Sequence, residues 1–143
     1  MFGKSIMTAS LILLSAVANA LPAQNYSEES EFLRGLRLYR TGVYSGARSV
    51  FENISDKDPR AEGYAILCAI KTKASGYQNL VRDYTLKHAG SAMSGLLYFN
   101  TGLSLFDEMK YSEAAAAFSR VKRSSLSKED AYELLYKTGY CYF

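Results

Sequence analysis

The stretch GLRLYRTGVYSGARSVFENISDKDP, from Gly35 to Pro59, has a partial copy in GLSLFDEMKYSEAAAAF, from Gly102 to Phe118. Matched residues recur at a constant separation of 67 positions: Gly35 and Gly102, Tyr44 and Tyr111, Ala47 and Ala114, Phe51 and Phe118. Midway, Tyr77 lies 33 positions after Tyr44 and 34 before Tyr111, and Leu80 and Tyr84 follow it at the same internal spacing. The chain is therefore built on a repeat of about 34 residues.

The segments between these landmarks have the patterns of paired helices. Ser27, followed by two glutamates, predicts the start of a first helix that ends at Thr41-Gly42. Further helices are predicted over 44–54, 60–73, 77–88, 92–108, 111–122 and from 128 to Phe143. Asp58-Pro59 and the pair Ser127 and Asp130 are typical helix-start signals.

These residues resemble the tetratricopeptide repeat, a helix-turn-helix unit of about 34 residues. The resemblance implies an all-α fold, a right-handed α-solenoid of antiparallel helix pairs, with repeats at about 27–60, 61–94 and 95–127 and a truncated fourth from 128. Cys68, Leu80 and Lys87 depart from the pattern in the middle repeat. The residues expected to pack the repeats are Gly35, Tyr44, Ala47, Phe51, Pro59, Tyr77, Leu80, Tyr84, Gly102, Tyr111, Ala114 and Phe118.

The same resemblance implies a concave groove lined by the first helix of each pair. Carrying its positions onto this chain predicts that a peptide or partner protein contacts Phe32, Leu36, Tyr39, Arg40, Lys73, Phe99, Leu103 and Phe106, while Ala65 and Ala69 leave room between the aromatic residues. An equally weighted alternative is that another segment of the same protein fills this groove. Leu36, Ala69 and Leu103 replace the polar residues that grip a terminal carboxylate, so no such clamp is expected.

The N-terminal residues have the pattern of a secretory signal peptide. An apolar run from Ile6 to Val17 follows Lys4, and Ala18-Asn19-Ala20 supplies small residues for cleavage, which predicts a signal at 1–20 and a lead-in at 21–26. A membrane anchor is the alternative, but a helix over the apolar run would rise only about 18 Å across a hydrocarbon core about 30 Å thick. We expect an exported protein, periplasmic or associated with an outer membrane, with no integral span after cleavage.

Composition and charge argue against several other functions. The chain has 17 basic and 14 acidic residues, a net charge of +3, without a dense basic block, so nucleic acid is not an expected partner. Cys68 and Cys141 fall two repeats apart, too far for a disulfide. His88, the only histidine, has no neighbouring pattern of nucleophile, metal ligands or phosphate-binding loop. No cofactor or catalytic residue is predicted.

The predicted function is a non-enzymatic protein-binding scaffold of the cell envelope. A structural module that associates end to end is the alternative, because a first helix without its second helix would expose Leu135, Tyr142 and Phe143. The sequence also leaves open that these repeats are the N-terminal part of a longer protein, or that they recruit the substrate of a following enzyme domain.

Overall fold

The computed structural model describes residues 23–143, with side chains from Ser30 onward. The predicted signal peptide at 1–20 and the first two positions of the predicted lead-in lie outside this range. The described part of the chain is all-α, as predicted, and contains no strand. Its helices are α1 (Ala23–Arg40), α2 (Tyr44–Ile54), α3 (Pro59–Lys71), α4 (Tyr77–Lys87), α5 (Ala92–Asp107), α6 (Tyr111–Phe118) and α7 (Lys128–Cys141), and a 3₁₀ turn (Arg123–Ser125) precedes α7.

Two predicted helix ends are wrong. α1 begins at Ala23 instead of Ser27, because positions 23–34 contain neither glycine nor proline and therefore no residue that ends a helix. α6 ends at Phe118, short of the predicted Lys122. Just after Phe118, the Ser119 hydroxyl donates to the Ala116 carbonyl oxygen at 2.7 Å, and such side-chain bonds compete with the helical backbone.

The predicted start signals of two helices are confirmed. The Asp58 carboxylate accepts a hydrogen bond from the Arg60 amide at 2.9 Å, and Pro59 occupies the first turn of α3. The Ser127 hydroxyl oxygen accepts one from the Asp130 amide at 3.1 Å at the start of α7. Each side chain satisfies a backbone donor that the helix itself leaves free.

The turn between the helices of each pair has one backbone geometry. At the end of α1, Gly42 has a φ of +79° and the Val43 amide donates to the Leu38 carbonyl at 2.9 Å. Lys73 (φ 50°) and Met109 (φ 60°) hold the same position after α3 and α5, where the next amide in each case donates to a carbonyl five residues back at 2.9 Å. The repeat in the sequence is therefore accompanied by a repeat in the backbone geometry at the end of each first helix.

Each outer pair is joined by a contact between a glycine and an aromatic ring. A Cβ on Gly35 of α1 would lie 2.6 Å from a ring carbon of Phe51 in α2. A Cβ on Gly102 of α5 would meet the ring of Phe118 in α6 in the same way. Ala47 and Ala114, the small residues of the second helices, are fully buried. Only glycine allows helix and ring to approach this closely.

The middle pair differs, and the expectation that Leu80 packs inside it is wrong. Leu80 is 40% exposed, whereas Val81 and Tyr84 are buried. The buried positions of α4 begin at Tyr77 and recur four and then three residues later, so Val81 takes the inward position that alanine holds in the other two second helices. Leu80, one position before Val81 on the helix, is therefore turned away from the buried side.

Three apolar clusters hold the helices together, and each one joins a helix pair to the helix that follows it. The first cluster comprises Phe32, Ala47, Phe51, Ile54, Ala61, Ala65 and Cys68. The second comprises Ile66, Leu67, Ala69, Ile70, Tyr77, Val81, Tyr84 and Leu97. The third comprises Phe99, Leu105, Ala114, Ala117, Phe118 and Leu134. The core is thus a chain of neighbouring contacts rather than one central mass.

Candidate functional site

The first helices of the three pairs and α7 contact one another side by side. Tyr39 of α1 meets Tyr64 of α3, with ring centroids 5.8 Å apart. The Lys73 ammonium, just after α3, lies 3.4 Å from the carboxylate of Glu108 at the end of α5. Phe106 of α5 then meets Tyr140 of α7 at 5.3 Å. We call this surface the first-helix face; it includes Leu36, Tyr39, Arg40, Lys73, Leu103 and Phe106.

Phe32, which was expected in the open groove, is buried, and this corrects the prediction. Its ring packs against Phe51 at 5.6 Å and Tyr64 at 5.7 Å, and the Arg60 guanidinium lies 4.2 Å from its centroid. Tyr39 is only partly buried, between Tyr44 and Tyr64. Burial raises the pKa of Tyr39 to about 12, so its hydroxyl stays protonated at neutral pH.

Phe99 also departs from the prediction, because it is buried in the third cluster with its ring 6.4 Å from that of Phe118. Phe106 remains partly accessible, in a triangle with Tyr111 at 5.2 Å and Tyr140 at 5.3 Å. The Lys137 ammonium lies 4.2 Å from the centroid of Phe106. The aromatic residues of the first-helix face therefore already have partners within the fold.

The polar residues of this face are accessible. Arg40 and Lys73 are exposed, and Glu108 bridges Lys73 to Lys110, whose ammonium lies 2.8 Å from its carboxylate. The hydrogen bond from Lys110, aided by Lys73, lowers the pKa of Glu108. Arg40 has no ion-pair partner among the described side chains. It is therefore the charge on this face that is available to a ligand.

Ala65 and Ala69 do not form the shallow middle of a groove. Ala69 is fully buried, and Ala65 belongs to a different cleft of about 280 Å³ between α2, α3 and α4, together with Ile66, Leu80 and Tyr84. A cleft of about 300 Å³ repeats this arrangement between α4, α5 and α6. In that second cleft, the buried Thr101 hydroxyl has no hydrogen-bond partner among the described residues.

The sequence did not predict these clefts, because the repeat pattern identifies only those residues of the second helices that pack inside the repeat. The signal that indicates them is the small side chain at Ala65, Thr101, Ala116 and Ala117, which leaves space where a larger one would fill it. Charged residues line the first cleft: Arg48, Glu52, Glu62, Asp83 and Lys87.

The titratable groups nearest to His88 are Glu62 and Tyr84. The Nε2 of His88 lies 3.8 Å from a carboxylate oxygen of Glu62, and its ring packs on Tyr84 at 4.5 Å. Burial, reinforced by Glu62, raises the pKa of Tyr84, which disfavours its ionisation. The His88 side chain is partly buried.

Neither cysteine is paired. Cys68 is buried in the first cluster and Cys141 is partly buried beside the third. Burial raises the pKa of the Cys68 thiol to about 11, which keeps it in the unreactive protonated form. The described residues contain no group of three or more His, Cys, Asp or Glu side chains placed to hold a metal ion.

Comparison of the chain with protein-family models, curated proteins and solved structures gives no match in any of the three. None of the helices between residues 23 and 143 combines the length and apolar character needed to cross a bilayer.

Proposed function

We propose that this protein is a non-enzymatic, protein-binding α-solenoid of the tetratricopeptide kind, and that its first-helix face holds a peptide of a partner protein. The observation that carries the proposal is that each first helix contacts the next one along that face: Tyr39 meets Tyr64, Lys73 pairs with Glu108, and Phe106 meets Tyr140. A surface that spans α1, α3, α5 and α7 suits an extended or helical peptide better than a compact small molecule.

The accessible residues define the chemistry of the expected ligand. Leu36 and Leu103 lie one helical turn before Tyr39 and Phe106 and are partly exposed, so they offer apolar contacts on α1 and α5. Arg40 adds an exposed positive charge, whereas Lys73 is already paired with Glu108. We expect a peptide with two apolar anchors and an acidic residue near Arg40.

The test is selection of binding peptides from a random library, followed by fluorescence anisotropy with the selected peptides. We expect Leu36→Ala with Leu103→Ala to weaken binding at least tenfold, because both apolar contacts are removed. Arg40→Glu should weaken the binding of acidic peptides in particular, and this effect should be smaller at high salt. Amide shifts in NMR spectra should map to α1, α3 and α5.

Leu86→Ala is the matched control, because Leu86 is 75% exposed and lies on α4, outside the first-helix face. It should change the affinity less than twofold. Melting temperatures of all variants separate lost binding from lost folding. Equal weakening by the control, or peptides whose NMR shifts map only to second helices, would reject the proposal.

A second candidate function is self-association through α7, and its exposed face favours it. Tyr132, Leu135 and Tyr136 are 63%, 48% and 71% exposed, and their spacing places them on one side of the helix. The opposite side carries Leu134, which belongs to the third cluster. An apolar stripe of this kind is typical of a helix that another helix covers.

Replacing Tyr132, Leu135 and Tyr136 by serine tests this candidate without removing α7, which the third cluster requires. Sedimentation of the parent chain should report a dimer that the triple variant converts to a monomer, with peptide binding retained. A monomeric parent chain at high micromolar concentration would contradict the candidate.

We further propose that the protein works in the cell envelope after export, on the strength of the signal pattern at 1–20. Mass spectrometry of protein recovered from the periplasm of an expressing bacterium should find a mature N-terminus at Leu21. A cytoplasmic product that retains Met1 would contradict this assignment.

A further inference from the structure

A further cleft of the described structure lies outside the first-helix face. It has a volume of about 690 Å³ and is bounded by the end of α4, the start of α5 and the segment between α6 and α7. This volume is in the range of small-molecule sites. Its walls are mainly small and hydroxyl-bearing residues, with Tyr98 on one side and Arg120 and Lys122 on the other.

The charge of this cleft is entirely positive. Arg120 and Lys122 both line it, and no aspartate or glutamate does. Neither cation has a carboxylate partner among the described side chains. Elsewhere on the surface such partners are common, as in Lys73 with Glu108 and Lys87 with Glu62. Two unpaired cations that share one cleft favour an anionic ligand.

Arg120 is oriented by its neighbours. Its Nη1 donates a hydrogen bond of 3.4 Å to the Tyr98 hydroxyl oxygen, and its guanidinium carbon lies 5.4 Å from the centroid of the Tyr98 ring. The Tyr98 hydroxyl in turn donates to the Thr85 hydroxyl oxygen at 2.9 Å. One guanidinium nitrogen is thus used to position the group, while the other N–H donors remain for a ligand.

Two glycines line the cleft opposite Lys122 and Ser125. A Cβ on Gly90 would lie 3.7 Å from the Lys122 ammonium nitrogen. A Cβ on Gly95 would collide with the Ser125 hydroxyl, so the absence of a side chain there lets the segment after α6 approach α5 closely. The segment that carries Lys122 and Ser125 therefore lies directly beside the α4–α5 side of the cleft.

From this geometry we infer that the cleft between α4, α5 and the segment after α6 binds the phosphoryl group of a phosphomonoester or phosphodiester. Arg120 supplies a fork of N–H donors, Lys122 supplies a point charge, and hydroxyls complete the shell. A phosphoryl group offers two or three non-bridging oxygens in a tetrahedral arrangement, and each can accept more than one of these hydrogen bonds. The group can belong to a soluble metabolite or to a phospholipid headgroup.

The experiment titrates the ¹⁵N-labelled chain with inorganic phosphate and with glycerol 3-phosphate, and sediments it with vesicles of phosphatidylglycerol or phosphatidylcholine. We expect amide shifts at Gly90, Gly95 and Ser125, and at least tenfold weaker binding after Arg120→Gln with Lys122→Gln. Saturable binding of glycerol 3-phosphate indicates a soluble ligand. Sedimentation with phosphatidylglycerol vesicles, without binding of the soluble phosphates, indicates a lipid headgroup.

Lys71→Gln is the matched control, since Lys71 is exposed on α3, outside the cleft, and its replacement removes one positive charge. It should change the affinity less than twofold. Circular dichroism verifies that the glutamine variants fold. Either of two results overturns the inference: none of the phosphate probes binds, or the Lys71 variant loses as much affinity as the cleft variants.

Discussion

At the scale of single residues, two glycines set how closely the helices of the outer pairs approach. Gly35 faces the ring of Phe51, and Gly102 faces the ring of Phe118, so that neither position has room for a Cβ. Both rings are buried. A ring packed flush against a helix backbone removes more apolar area from water than one held away by a methyl group.

We predict that Gly35→Ala or Gly102→Ala lowers the free energy of unfolding by about 1–3 kcal/mol, because the methyl group overpacks the helix crossing. Urea denaturation measures the change. Gly139→Ala in α7 is the control: no atom lies within 4 Å of its Cβ position. That change should leave stability unaltered or raise it by about 0.5–1 kcal/mol, as alanine favours helix. Equal losses at all three positions would contradict the prediction.

Met109, like Lys73, has a left-handed backbone conformation that disfavours a side chain. It has a φ of 60° and is 75% exposed, so its side chain gains little from packing. Gly42 holds the equivalent position after α1 without that strain. Met109→Gly should therefore raise the free energy of unfolding by about 1 kcal/mol. Met109→Ala, which retains a Cβ, should give no gain, and a gain of similar size would refute the explanation.

At the scale of secondary-structure elements, local chemistry decides where helices start and end, and packing decides which side faces inward. Asp58, Ser91 and Ser127 each accept an amide hydrogen bond at the start of a helix. In α4, by contrast, the burial of Val81 in place of Leu80 follows from packing on α3 and α5. The predicted Tyr77 and Tyr84 are buried in α4, whereas the predicted Leu80 is not.

Asp58 gives the start of α3 a dependence on pH. The hydrogen bond from the Arg60 side chain lowers the pKa of Asp58 below its ordinary value of 3.8. A carboxyl group with a lowered pKa in the folded state stabilises the fold above that value, and the contribution is lost as the pH falls through the folded-state pKa.

Asp58→Ala should accordingly cost about 1 kcal/mol at pH 7 and clearly less at pH 3, measured by urea denaturation. Asp58→Asn, which keeps an acceptor for the Arg60 amide but removes the charge, should lose part of this stability at pH 7 and little at pH 3. Asp56→Ala, at an exposed neighbouring position, should have little effect. A loss of the same size at pH 3 and pH 7 would show that the charge of Asp58 contributes nothing.

At the scale of the whole molecule, each helix pair is stabilised by packing against the helix that follows it. Leu97 of α5 completes the second cluster, and Leu134 of α7 completes the third. Tyr64 of α3 joins the first pair by stacking on Phe51 at 5.3 Å. Because α3 and α5 each take part in two clusters, they have neighbours on more sides than α1 or α7.

Native-state hydrogen exchange should therefore be slowest in α3 and α5 and faster toward α1 and α7. Mass spectrometry of peptides from the exchanging protein measures this order. Tyr64→Ala should accelerate exchange in α1 and α2 more than in α6 and α7, since it removes the contact that joins the first pair to the rest. Uniform exchange along the chain would indicate a single cooperative core instead.

Much of the architecture was predictable because its signals are local. The seven helices, the capping of α3 and α7, and the beginning of every second helix follow from Pro59, Ser127 and the tyrosines that recur through the chain. Among the residues predicted to line the groove, those that remain at least partly accessible are Leu36, Tyr39, Arg40, Lys73, Leu103 and Phe106. Phe32 and Phe99 are buried instead, because their exposure depends on rings that approach from other helices.

The sequence by itself determined the period of the chain, its helical class and the glycine-to-ring contacts, since each of these depends on residue spacing within one repeat. Only the tertiary structure decided which aromatic residues remain accessible, that α4 turns Leu80 outward, and that Arg120 and Lys122 share one cleft with Tyr98. The physical reason is that burial and charge pairing are sums over neighbours brought together from distant positions. Burial and charge pairing therefore cannot be predicted from residue spacing within a single repeat.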